Sequence, residues 1–280
     1  MFGPGIVART LTRSSVTDQY GNRWQYHSRS DRHGRVAAFA MLFDLLHTSG
    51  AFCSQVRRGR IAVSTKYEMR DDRHDKKKDI DLVVTTTHGE APDGSFLDVC
   101  REFDLDLDRA AEAAALKLPA VRFTEVTDVL VAFEVKAAMT AHVRALTRLF
   151  AEVSSSHETI HGAAPGALAV GLIVVNTSTH FTSSDRNRHA LELLPPQVTR
   201  HRQPADAERV LDRMRQVARR TGSTGRGYDA FAAITIACRN DGTPVEVVTD
   251  APAPDRWDAL HYERMLSELA RAYEARFSRI

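Results

Sequence analysis

The stretch that most constrains this chain is Val129-Leu130-Val131-Ala132-Phe133-Glu134-Val135-Lys136. Val129, Val131, Phe133 and Val135 alternate with Leu130, Ala132, Glu134 and Lys136, and a period of two predicts a strand. Glu134 and Lys136 then project from one face, opposite the largest apolar side chains, with Cα atoms about 7 Å apart by the strand rise. A carboxylate and an ammonium so placed can act on one target.

At 280 residues and 43% hydrophobic content, the chain can bury a substantial core. The longest apolar run, 167–175, suits a buried strand and not a membrane span. Arg9 and Arg13 have no hydrophobic stretch behind them, so no signal peptide is expected. Cys53, Cys100 and Cys238 are odd in number and widely spaced, which argues against a disulfide framework and fits a reducing cytoplasm. The net charge of +2 says little, but its distribution says more. Residues 1–35 hold six arginines against two aspartates, and 186–220 hold nine arginines against fewer acids. Either excess could contact phosphate or form a solvated face.

Residues 1–35 read as a polar N-terminal arm in which Tyr20 to His33 interleaves aromatics with arginine and histidine. It could stack on bases, or pack Trp24 and Tyr26 on the domain and cap the next helix through Ser30 or Asp31. An apolar helix is expected over 36–47. Strands over 61–69 and 79–84, joined by a charged turn, predict a hairpin with Ile80, Leu82 and Val84 on one side and Asp79 and Asp81 on the other. Residues 88–128 read as an insertion with a helix over 107–116. Asp104, Asp106 and Asp108 mimic the start of a calcium loop, but Arg109 and Ala115 stand where glycine and glutamate are needed. After Lys136 an amphipathic helix is expected, with Met139, Val143, Leu146, Phe150 and Val153 on one face. A buried strand over 167–175, an inward-facing helix with Val210, Leu211, Met214 and Val217, a hairpin about Asp241-Gly242 and a helix over 255–277 complete the chain.

Helix, hairpin with Asp81, strand with Glu134-x-Lys136, helix, strand: this order resembles the PD-(D/E)xK nuclease superfamily over about residues 36–176. The resemblance implies an α/β fold whose central mixed sheet is flanked by helices, a restriction-endonuclease-like core (36–176) inside a single domain (36–280). The insertion 88–128 and a C-terminal extension, 177–280, with hairpin and helix, would be additions to it. It matches Asp81 to the hairpin aspartate, Glu134 to the acid of the motif and Lys136 to its lysine. It implies Mg²⁺, with Mn²⁺ as substitute, held by the two carboxylates, and Lys136 orienting water or stabilising charge. No proline precedes Asp81, and Glu134 follows it by 53 positions (134 − 81).

Two other chemistries compete for these residues. Asp79-x-Asp81 with Glu134 could serve a nucleotidyltransferase, but Val63-Ser64-Thr65 lacks the glycine of a triphosphate cradle. His157-Glu158-Thr159-Ile160-His161 spells the HExxH of zinc proteases, with only Glu192 as a distant third ligand. A non-catalytic DNA-binding module would explain the arginines and leave the strand acids without purpose.

The expectation is therefore a cytoplasmic, Mg²⁺-dependent DNA endonuclease of the restriction or phage-defence type. Asp81 and Glu134 are the expected metal ligands, Glu68 is a further candidate ligand, and Lys136 is the catalytic lysine. Arg29, His142 and Arg144 are candidate phosphate contacts. Cutting both strands would favour a homodimer, and a defence system could add a partner subunit.

Overall fold

The computed structural model describes residues 1–222 and 225–280. In chain order the elements are α1 (Gly3–Thr12), β1 (Val16–Thr17), β2 (Arg23–Trp24), α2 (Arg32–Thr48), α3 (Gly50–Arg57), β3 (Ile61–Asp71) and β4 (Lys76–Thr86). There follow α4 (Phe96–Glu102), α5 (Arg109–Ala115), β5 (Val129–Ala138), α6 (Leu146–Ala163), β6 (Leu168–Asn176), β7 (His180–Thr182) and β8 (Val198–Arg200). The chain ends with α7 (Ala205–Arg215), β9 (Ala230–Ala237), β10 (Glu246–Val247) and α8 (Tyr262–Phe277).

Six strands form a mixed sheet in the order β10-β9-β6-β5-β4-β3. The β3–β4–β5 ribbon is antiparallel, β5, β6 and β9 run parallel, and β10 closes antiparallel on β9. β6 sits between two parallel neighbours with every residue buried, as its unbroken apolar run requires. One core joins α1, α2 and α8 to the side of the sheet carrying Val131, Phe133 and Val135. A second, holding Ala132, packs α6 and α7 on the other side. Burying Phe133 contributes about 2–3 kcal/mol, whereas burying the Glu134 carboxylate costs several kcal/mol. The apolar face therefore fixes β5 in the sheet, and Glu134 is carried in with it.

Several expectations shift. Residues 1–35 are not a polar arm: α1 buries Ile6, Val7 and Leu11 in the first core. Trp24 is buried, with Nε1 donating to Asp18 Oδ2 at 2.8 Å, and is closed to base stacking. Ser30 Oγ accepts from Arg32 N at 3.2 Å, so Ser30 supports the start of α2 and Asp31 does not cap it. Beyond the helix expected over 36–47, Ser49 accepts from Phe52 N and starts a second helix, α3. The insertion carries two helices instead of one, and Asp108 caps α5 by accepting from Ala111 N. α6 begins at Leu146, so Met139 and Val143 lie outside it, the one buried and the other exposed. Among the described residues no single helix is long and apolar enough to cross a membrane.

Candidate active site where two strands part

The separation of 53 positions (134 − 81) from Asp81 to Glu134 is taken up by the insertion at 88–128, and β4 and β5 pair directly, Leu82 with Phe133 and Val84 with Val131. The same register sets Asp81 across from Glu134. There the backbone ladder stops, and Asp81 Oδ2 accepts from Val135 N at 2.7 Å. On the other side of β4, Lys66 adopts a left-handed φ of 52° between the pairs Thr65–Leu82 and Tyr67–Ile80. The expected common side for Ile80, Leu82 and Val84 is broken by this irregularity. Ile80 joins the second core, and Leu82 and Val84 the first. Asp81 sits at that break.

Close approach of α2 requires a glycine. A Cβ on Gly34 would lie 2.4 Å from Asp81 Oδ1, far inside contact distance. Gly34→Ala is expected to displace the Asp81 carboxyl while leaving thermal stability within a few degrees, and to reduce any activity of the site by about tenfold or more. Activity and melting temperature measured on the same sample check this.

Electrostatics mark the same place. Burial, reinforced by the neighbouring Glu134 charge, pushes the Asp81 carboxyl up to about 7. Glu134 is 2% exposed, and its Oε1 accepts from Lys136 Nζ. Ser156 Oγ lies 3.4 Å and Lys78 Nζ 3.5 Å from that oxygen. Glu134 Oε2 is buried and without a hydrogen-bond partner. Burial disfavours the Lys136 ammonium, but the adjoining Glu134 carboxylate outweighs it and holds the lysine above its ordinary value.

A cavity of about 310 Å³ opens beside these groups, lined by His33, Asp81, Lys136, Arg148 and Glu152 among others. It shares Tyr26, Thr140 and Arg148 with a second cavity of about 540 Å³ that Arg144 and Arg186 line. Ser184 and Asp185 join that one to a third, of about 340 Å³, lined by Arg29 and Arg188. The first two lie at the carboxyl end of β5, where open α/β sheets bind ligands.

The expected residues are therefore only partly brought together. Asp81 and Lys136 line the first cavity, and Glu134 lies beneath them. Asp79, the rival to Asp81, is exposed and paired across the ladder with Glu68. Glu68 is itself exposed, with Lys77 Nζ at 3.4 Å, so it is not a ligand at this site. Arg144 and Arg29 are exposed on the second and third cavities. His142 lines the first cavity but is only 3% exposed; it donates from Nε2 to the Asn176 carbonyl at 2.8 Å and packs edge-on against His201. It holds the β5–α6 connection to the end of β6. Neither His33 nor Lys78 stood out in the sequence as a residue of this site, because α2 and β4 reach it only through packing. Burial, and then the charge of Lys136, push His33 down to about 4, so its imidazole is neutral.

The other two chemistries lose their geometry. Ser64 lies inside the continuous strand β3, where no helix start can cradle a triphosphate. In α6, His161 bonds the Gly227 carbonyl at 2.9 Å and receives Arg220 at Nδ1, while Glu158 pairs with Lys76 at 2.8 Å. Among the described residues no group of three histidine, cysteine or acidic side chains is placed to hold a metal ion. At this site a cation would meet two carboxylates, and Glu134 Oε2 is buried without a hydrogen-bond partner. That set suits Mg²⁺, which keeps several waters and takes one or two carboxylates. Comparison with family models, with curated proteins and with solved structures gives no match.

Proposed function

We propose that this protein is a metal-dependent endonuclease that hydrolyses DNA phosphodiester bonds, in the manner of restriction or phage-defence enzymes. One observation carries the reading: Asp81 and Glu134 are electrostatic neighbours where β4 and β5 part, and Asp81 and Lys136 line one cavity. Asp81 and Glu134 would hold Mg²⁺ or Mn²⁺. When bound, such an ion lowers the pKa of its water and neutralises charge on the scissile phosphate. Lys136, charged and anchored to Glu134, is positioned to orient the attacking water or to stabilise the negative charge that develops at phosphorus. Arg148, Arg144 and Arg186 line the cavities beyond and suit the flanking phosphates. Cutting both strands would favour two copies of the chain acting together.

Non-catalytic DNA binding is the rival reading, and it leaves the neighbouring buried acids Asp81 and Glu134 without a purpose. Incubating the purified chain with plasmid and phage DNA and Mg²⁺ decides between them. Cleavage that a chelator abolishes and that Lys136→Ala lowers by about a hundredfold or more is expected. Binding without cleavage, in Mg²⁺ and Mn²⁺ alike, would leave only the binding module.

A further inference from the structure

Lys78 lies on β4, three residues before Asp81 and outside the residues assigned a role above. Its ammonium touches the Glu134 side of the site without lining the cavity. Nζ donates to the Glu152 carbonyl at 3.0 Å and to Ser156 Oγ, and stands 3.5 Å from Glu134 Oε1. Its side chain is 17% exposed and that of Glu134 1%, so this charge is held inside the fold. Lys136 reaches the same oxygen, so two ammonium groups converge on one carboxylate oxygen while the other, Oε2, has no partner. One lysine would neutralise the acid. The second needs an explanation.

We infer that Lys78 is a built-in counter-cation of the candidate metal site, standing against Glu134 while no divalent ion is bound and opposing the ion's entry. This rests on the metal-dependent reading above. Of the two lysines, Lys78 is the one able to yield. It stands farther from Oε1 and keeps two other acceptors on α6, Glu152 O and Ser156 Oγ, when it lets go. Lys136 has Glu134 as its one hydrogen-bond partner and also lines the cavity, where a substrate phosphate can use it. Lys78 does not line that cavity, so its charge acts first on the carboxylate. The arrangement holds a second positive charge against a buried acid in the metal-free protein. Its consequence is weaker affinity for the ion, because two like charges then compete for one ligand.

Mn²⁺ titration followed by electron paramagnetic resonance, in which bound ion loses the free-ion signal, tests this without any cleavage assay. Lys78→Met is expected to bind Mn²⁺ about tenfold more tightly than the wild type, since a unit positive charge beside the ion is removed. Lys78→Arg keeps the charge and should stay within about threefold of the wild type. Lys76→Met removes the same charge from the same strand, but from an ion pair with Glu158 at 2.8 Å, and should change binding by less than about twofold. If Lys78→Met fails to fold, Lys78→Gln, which can still donate to Ser156, carries the same expectation. Wild-type uptake of Mn²⁺ with equal or weaker binding by the neutral variant would overturn the inference and leave the nuclease reading intact. Uptake by neither protein would overturn both.

Discussion

Glu134→Gln is expected to lower Mg²⁺-dependent DNA cleavage by about a thousandfold, the largest loss from any conservative change in this chain. Glutamine keeps the volume and one carbonyl oxygen but removes the charge that would hold the ion and that fixes Lys136. The same change carries a stability cost. Removing one partner of a buried ion pair costs about 3–5 kcal/mol where the other is fully buried. Lys136 and Lys78 remain 26% and 17% exposed, so water recovers part of their hydration and the lower end is expected. The two effects separate in the double variant Glu134→Gln with Lys136→Met. Relieved of one unpaired ammonium, it should regain stability in chemical denaturation and remain inactive. Cleavage within about tenfold of the wild type by a folded Glu134→Gln protein would remove this residue from the proposed site.

Asp81→Asn is expected to make the metal-free protein more stable at about pH 8 and to leave it no more stable below about pH 4, with a partial gain in between. The carboxyl ionises at 3.8 in its ordinary state and at about 7 in the fold, because burial and the Glu134 charge disfavour its anion. A raised acid binds its proton more tightly when folded. The stability it contributes is whole below the ordinary value and is lost as the pH rises through about 7. Asparagine imitates the neutral acid, still accepts from Val135 N, and abolishes the loss. Thermal melts of both proteins in chelator across that range should converge at low pH and separate at high pH. A divalent cation favours the ionised carboxylate, so Mg²⁺ should raise the wild-type melting temperature more at about pH 8 than at about pH 6, and do little for the variant. Parallel melting curves at every pH would show that Asp81 ionises normally. Greater stability with lost cleavage is the expected balance of a site that keeps two acids together for function.

Much of the architecture was legible because it is written in local periodicity. The alternation at 129–136 placed β5 and set Glu134 and Lys136 on one face, opposite Phe133. The unbroken apolar run at 167–175 gave the buried strand β6, and Asp241-Gly242 gave the β9–β10 turn, where Gly242 has a φ of 90°. Polar composition misled at residues 3–12, where Ile6, Val7 and Leu11 make a helical face among residues that are each unremarkable. It misled again at His142, which reads as an exposed helix residue and is instead a buried strut. The small β7–β8 sheet left no period long enough to detect.

By itself, then, the sequence determined that this chain has an apolar strand carrying a carboxylate and an ammonium on one face, because side-chain direction in a strand follows from a period of two. It also determined a charged hairpin with Asp81. Only the tertiary structure decided that the hairpin pairs directly with that strand across the insertion and brings Asp81 to Glu134. Register between distant segments is set by which apolar faces pack together, and no local pattern encodes it. The same packing brought Gly34 against Asp81, His33 beside Lys136 and Lys78 against Glu134. These residues meet the site from α2 and β4, and their types alone do not distinguish them from surface residues elsewhere in the chain.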